Sequence, residues 1–236
     1  MHLAIRCCEF IMQGRLFLAS LALLLAGCAS AVPLMTPLAP TADDQCQAVY
    51  PVGDWQFVHA IEFTMAEGGR GTAIGITTLR QGDIDCALLT VEGLSLFEAN
   101  QSRQGGLDIR RALPPFDRPG FAAGLFDDVR TIFFPPAAAS VVHGVIGRER
   151  VCRHSFADGR VTDVLPQRDG CWQIRTYRQG RDERSLQAGS CRVVEGARIP
   201  EYLELRGRGP SGYTLRMTLV RAERTATPTS GTEIAR

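Results

Sequence analysis

Between residues 55 and 65 the chain alternates with a period of two. Trp55, Phe57, His59, Ile61, Phe63 and Met65 occupy one parity, against Gln56, Val58, Ala60, Glu62 and Thr64 on the other. That spacing is a strand with one face in a core and the other in water. A Gly68-Gly69-Arg70-Gly71 turn follows, and a hairpin closing there sets Phe63 against Ile74 and Ile61 against Ile76. Gln81-Gly82-Asp83 starts a third run, in which Ala87, Leu89 and Val91 oppose Ile76, Ile74 and Thr72. Shorter runs at 94–99 and 107–113 complete an expected antiparallel meander.

The period then changes. Asp117 can cap a helix and Pro119 suits its first turn, after which Phe121, Leu125, Val129, Ile132 and Phe133 repeat at helical spacing until Pro135-Pro136. Asp127, Asp128 and Arg130 read as its solvated side. Alternation resumes at 150–156, 160–165, 202–205 and 213–220, where Leu203 is set against Leu215 and Leu205 against Tyr213. In between, Cys171 and Cys191 close the two arms of a hairpin centred on Arg181. Directly opposed strand residues lie about 4.5–5.5 Å apart, within disulfide reach, so these two cysteines are expected to pair. A metal site built from Cys152, His154, Cys171 and Cys191 competes with that bridge but lacks the close cysteine pair of zinc ribbons; no metal is expected.

The N-terminus carries an address. Residues 16–26 are apolar or small, broken only by Ser20, which is long enough for a signal-peptide core and too short to span a bilayer. The run ends in Leu25-Ala26-Gly27-Cys28, which resembles the bacterial lipobox and marks Cys28 for lipid attachment; a plain signal peptide with a chance cysteine is the alternative. Ala29, in place of aspartate, directs such a protein to the outer membrane, facing the periplasm. Translation can start at Met1 or Met12. The expected organisation is a signal peptide over 1–27, a Pro/Ala-rich lipidated tether over 28–41, one domain over 42–221 and a disordered tail over 222–236.

Composition narrows the function. The chain of 236 residues has a formal charge of +1, and all 26 of its basic residues are arginine. Without a basic field nucleic acid is a poor partner; without lysine there is no Schiff base and no Walker-type phosphate loop. Gly93-Leu94-Ser95-Leu96-Phe97 lacks the second glycine of a nucleophile elbow. His59 reads as a core or pocket histidine, and His143 and His154 have no paired carboxylate. No catalytic residue and no cofactor are expected.

The order sheet, helix, sheet, together with Leu88-Leu89-Thr90-Val91-Glu92-Gly93-Leu94-Ser95-Leu96-Phe97, the Pro-Pro-Phe-Asp-Arg-Pro-Gly-Phe lead into the helix, Ile199-Pro200 and Tyr213-Thr214-Leu215, resembles the LolA/LolB lipoprotein-localisation superfamily. The resemblance implies an α+β, mostly β fold: an incomplete antiparallel barrel with helices over its concave face, which receives acyl chains. It also implies a membrane-contacting apolar residue on a loop between central strands. Leu94 occupies that place here, with Glu92 a departure from the pattern.

The expected lining is Trp55, Phe57, Ile61, Phe63, Ile74, Ile76, Leu89 and Val91, with Phe121, Leu125 and Val129 from the helix. Either these residues enclose a cavity for an acyl chain of a lipid or lipoprotein, or they form a fully packed core in an interaction protein anchored to membrane lipid in the same way.

Overall fold

The computed structural model describes residues 32–39, 46–209 and 211–225. Cys28, the signal peptide and residues 226–236 lie outside them. Thirteen strands form one antiparallel sheet. In chain order they are β1 (Thr36–Pro37), β2 (Trp55–Met65), β3 (Arg70–Arg80), β4 (Asp83–Leu89), β5 (Ser95–Gln101) and β6 (Leu107–Ala112), then β7 (Ser140–Ile146), β8 (Glu149–Ser155), β9 (Val161–Pro166), β10 (Trp172–Arg178), β11 (Arg181–Val194), β12 (Ala197–Gly207) and β13 (Tyr213–Arg224). One helix, α1 (Phe121–Phe133), stands between β6 and β7.

The spatial order is β1-β7-β8-β9-β10-β11-β12-β13-β2-β3-β4-β5-β6. It consists of two meanders, β2 to β6 and β7 to β13, joined where β13 pairs with β2 from Tyr213↔Met65 to Arg224↔Trp55. The helix therefore leaves one end of the sheet and its chain rejoins at the other. The buried stripe of α1 and inner-face residues of both meanders belong to one core cluster, so the sheet curls around α1. The sheet is open, not a closed barrel, and among the described residues a single helix covers its concave face, where the resemblance implied several.

α1 differs from expectation at its start. Gly120, left-handed at φ 82°, precedes it without a side-chain cap, so Asp117 does not serve as one. Its end is as expected: Phe134 is extended ahead of Pro135, and its N–H reaches Arg130 O at 3.0 Å. The buried stripe is Ala122, Phe126, Val129, Ile132 and Phe133. It packs on Trp55, Phe57, Leu79, Ile84, Phe97, Leu186, Leu203 and Leu205 in one continuous core.

Registers separate the expectations. β3 and β4 pair as read, with Ile74↔Leu89 and Ile76↔Ala87. β2 and β3 do not: Ile61 faces Ala73, Phe63 faces Gly71, and Ile74 and Ile76 face Ala60 and Val58. This is a slip by an odd number of positions, and it moves Ile74, Ile76 and Leu89 to the outer, helix-free face. Its cause is the turn, which lies earlier in the chain than the glycines suggested: Arg70 and Gly71 already belong to β3. Elsewhere the slip is by two, which leaves faces unchanged: Leu203 meets Met217 and Leu205 meets Leu215. The cysteine hairpin turns at Gln179-Gly180, both left-handed at φ 50° and 76°, rather than at Arg181. A bulge at Thr176/Tyr177 follows, yet Cys171 and Cys191 still pair with Cα atoms 5.3 Å apart.

A second bridge, Cys46–Cys152, has Cα atoms 6.2 Å apart and ties the start of the domain to β8. The chain ahead of it is also held: Thr36 and Pro37 pair with Val145 and Gly144, and Leu38 N–H reaches His143 O at 2.8 Å. Part of the expected tether is thus an added edge strand, and β13 runs to Arg224, three residues into the expected tail.

The Cys46–Cys152 bridge closes 106 residues and Cys171–Cys191 closes 20. On the loop-entropy estimate they contribute about 4.7 and 3 kcal/mol. Urea unfolding of the two double Cys→Ser variants should therefore show the larger loss for Cys46/Cys152; equal losses would contradict the chain-entropy account.

Candidate functional site

The concave face brings together seven of the eleven expected lining residues. Trp55, Phe57 and Val129 are buried in the core, while Ile61, Phe63, Phe121 and Leu125 pack against it only partly covered. The remaining four are elsewhere. Ile74, Ile76 and Leu89 sit on the outer face for the register reason above, and Val91 lies past the end of β4, 73% exposed. The stripe read from sequence was therefore two stripes on opposite faces.

The centre of the concave face is filled. Phe57 stacks on Phe133 with ring centroids 4.5 Å apart and on Trp55 at 5.6 Å. The void left beside them, bounded by Phe57, His59, Ile132, Phe133, Trp172 and Leu203, measures about 10 Å³. That is about one water's worth, whereas ligand pockets run roughly 300–1,000 Å³. His59 is buried beside the Phe57 and Phe133 rings, and burial pushes its pKa down to about 4, so it is a neutral core residue. Cys86, the free cysteine among the described residues, is buried on β4 with its thiol pushed up to about 12 by burial, which makes it unreactive.

One end of the concave face is covered less completely. Where β2 and β13 run toward Met65 and Tyr213, the side chains of Ile61, Phe63, Tyr213, Leu215, Phe121 and Leu125 are part-exposed, and Met65 is exposed. Phe116, in the lead into α1, packs edge-on to Phe63 at 6.1 Å and tilted to Phe121 at 5.2 Å. At this aromatic end apolar surface of helix and sheet reaches solvent together.

Beside it sits a polar contact that sequence reasoning missed. Asp128, expected on the solvated side of the helix, is buried against the sheet. Both of its carboxylate oxygens lie 2.7 Å from the Tyr213 hydroxyl, which donates to them, and Arg184 Nε is 3.1 Å from Oδ1. Arg184 faces Gly207 across β11 and β12, and Gly207 also faces Tyr213; an added Cβ there would strike the Tyr213 ring. The signal was available: position 128 stands three after Leu125 and four before Ile132, inside the helical stripe. Phe126, three before Val129 and fully buried, was also absent from the expected stripe. Burial raises the Asp128 pKa to about 6 despite the opposing pull of Arg184 and Tyr213.

The turn between β4 and β5 presents Leu94, 57% exposed, next to Val91. Thr90 N–H donates to Leu94 O at 2.9 Å and Gly93 N–H to Thr90 O at 3.0 Å, so the tip is a closed turn. Ser95 hydroxyl donates to Glu98 Oε1 at 2.6 Å, on a strand, as a structural residue. Among the described residues no group of three or more His, Cys, Asp or Glu could hold a metal ion, and no helix is long and apolar enough to cross a membrane.

No protein-family model matches the chain, and no curated protein matches it in sequence. Among solved structures, a LolA superfamily protein from Nitrosomonas europaea superposes with a TM-score of 0.54 at 11% identity, over 80% of this chain and 96% of that one. A DUF1329 family protein from Desulfovibrio piger matches at 0.48, with 8% identity over 76% and 89%. A domain assigned to an outer membrane lipoprotein-sorting protein from Vibrio parahaemolyticus matches at 0.44, with 8% identity over 80% and 92%. The chain shares its fold with that Nitrosomonas europaea protein.

Because the folded-state pKa of Asp128 exceeds its unfolded value, the native state holds a proton that the unfolded chain has released between about pH 4 and pH 6. This contribution to stability is present below pH 4 and is lost as pH rises through 6. It amounts to at most about 3 kcal/mol. Comparing chemical denaturation of wild type and Asp128→Asn across that window should show the downward slope weakened in the variant; parallel curves would mean that Asp128 titrates normally.

Proposed function

We propose that this chain is a lipid-anchored envelope protein without catalytic activity. It is attached through Cys28 to the periplasmic side of the outer membrane and takes up an acyl chain of a lipid or lipoprotein between α1 and the concave face of the sheet. The supporting observation is the aromatic end of that face, where Ile61, Phe63, Phe121 and Leu125 stay part-exposed beside a helix held by a buried charge. The driving force is partition: covering apolar surface is worth about 25 cal/mol per Å². With only about 10 Å³ of space between helix and sheet at the centre of the face, uptake requires α1 to lift.

The Asp128 contact bears on how easily it lifts. At neutral pH an ionised carboxylate is buried under the helix, and releasing it to water recovers part of its desolvation cost. Lowering the pH toward 4 neutralises Asp128 and favours the closed form.

A second reading has its own support in the packed centre of the face. A filled core with Leu94 and Val91 exposed at a turn suits a protein that docks partners instead of carrying lipid.

Native mass spectrometry of the full-length protein extracted from its own membrane should show a bound lipid beyond the covalent anchor. Leu125→Glu, at a part-exposed helix position, should reduce that occupancy at least about tenfold while shifting the melting temperature by only a few degrees. Empty wild-type protein, or a variant that retains lipid equally, selects the docking reading. Radiolabelled palmitate should label wild type and leave Cys28→Ala unlabelled; a labelled variant removes the anchor from the proposal.

A further inference from the structure

The outer face of β8 to β13 carries an ordered row of charge that neither the core nor the acyl-chain reading uses. Following the registers across the strands, Arg153 faces Asp163, Asp163 faces Arg175, Arg175 faces Ser185 and Ser185 faces Arg206. Neighbouring strands lie about 4.8 Å apart, so Arg175 and Arg206 stand roughly 10 Å apart with the Ser185 hydroxyl between them. A groove of about 530 Å³ opens over these positions, bounded also by Gln173, Tyr177, Gln187, Asp182 and Arg208.

The charges are not evenly matched. Asp163 is fully buried and held by Arg153 through two contacts of 2.7 Å. Glu204 is shared by Arg206 and by Arg216, whose Nε lies 3.1 Å away. Asp182 is paired with Arg208 at 2.9 Å. Arg175 touches Gln173 Oε1 at 3.0 Å and, among the described residues, makes no ion pair. The groove therefore holds a half-buried guanidinium without a carboxylate, faced across one strand by a second arginine. Its acidic neighbours are already neutralised. Two planar forks carried on either side of one serine position are suited to a tetrahedral oxyanion. Asp182 Oδ1, buried and without a hydrogen-bond donor, is left to accept from a hydroxyl on the same ligand.

Its location agrees. Pro33 forms part of the groove's wall, and its carbonyl accepts from Arg153 Nη2 at 2.9 Å. It stands five positions after Cys28, a lead of at most about 18 Å.

We infer that this groove binds a phosphate-bearing group, with Arg175 and Arg206 as its cationic ligands, close to the membrane surface. Only the nearness to the membrane rests on the Cys28 anchor; the site itself needs neither an acyl chain nor movement of α1.

The test is an NMR titration of the full-length protein in detergent micelles with inorganic phosphate, sn-glycerol 3-phosphate and dihexanoyl phosphatidylglycerol. Amide shifts should be confined to β10, β11 and β12. Arg175→Gln should raise Kd about tenfold, Ser185→Glu should abolish binding, and Arg110→Gln, at the far edge of the sheet, should leave it unchanged. Tighter binding of the phosphatidylglycerol than of inorganic phosphate assigns the group to a lipid headgroup; equal affinities assign it to free phosphate, and either upholds the site. No shifts with any of the three probes, or shifts that Arg175→Gln leaves unaltered, overturn it. Inorganic phosphate carries no acyl chain, so failure here is distinct from failure of lipid uptake.

Discussion

The pairing of β13 with β2 determines everything else in this molecule. It runs from Tyr213↔Met65 to Arg224↔Trp55 and makes one sheet of two meanders that are far apart in sequence. Without it, β2 to β6 and β7 to β13 would each expose an edge and an apolar face. With it, the free ends of the sheet are β6 and β1 on β7, the two places that α1 and its leads must bridge. In a flat sheet β6 and β7 would stand roughly 53 Å apart at the usual strand spacing, a gap that a helix of about 20 Å could close only with both leads drawn out nearly straight. Curling instead brings the inner faces of both meanders onto the helix, where they share one core. The helix ends up inside the curl because that is the shortest path between the edges.

How much of this was legible in sequence depends on what a one-residue error costs. Period-two alternation located β2 and β4 well, since a strand needs only its own pattern to be recognised. Pairing is set by turn geometry, which glycine content leaves ambiguous. At the β12–β13 hairpin the error was an even slip, so the core face was still assigned correctly. At the β2–β3 hairpin the slip was odd, and Ile74, Ile76 and Leu89 changed sides together. Because those residues are themselves apolar and half-buried on the outer face, composition could not reveal the mistake. β7 was hidden for a different reason: it follows an Ala-rich stretch and reads as a connection until the edge β8 offers is seen. On the helix, a polar residue at a stripe position was assumed to be solvated, and the partners that make its burial tolerable, Arg184 and Tyr213, lie far away in the chain.

That buried contact gives the helix–sheet interface an uneven character. Along Phe126, Val129, Ile132 and Phe133 it is a close-packed core, where truncating one aromatic costs about 3–5 kcal/mol. Along Asp128 it is a charged contact whose Coulomb gain is set against desolvation of both partners, and such pairs are often close to neutral in net stability. The part-exposed aromatic end lies on the same side as Asp128, around Tyr213. Separation of helix from sheet is therefore cheapest where apolar surface already meets water, and dearest at the Phe57–Phe133 stack. A chain entering from the aromatic end would replace helix contacts one methylene at a time, at about 0.8 kcal/mol each, instead of having to break the whole interface first.

The treatment of the sheet's two edges follows the same physical logic. An open edge invites a foreign strand. On the β7 side the chain supplies its own, with Thr36 and Pro37 in the ladder and the Met35 side chain seated over Gly144, where any Cβ would collide. Proline in that added strand leaves no N–H at its position to recruit a further neighbour. β6 has no such cover; it is exposed along nearly all its length, carries Arg110 and Arg111, and opposes β5 through a bulge. Charge and irregular register there do what the N-terminal segment does on the other side. The asymmetry follows from chain direction. The segment leading from Cys28 is available to close β7, and once it is pinned by the Arg153 contact to Pro33 and the Cys46–Cys152 bridge, it fixes which flank of the domain lies nearest that cysteine.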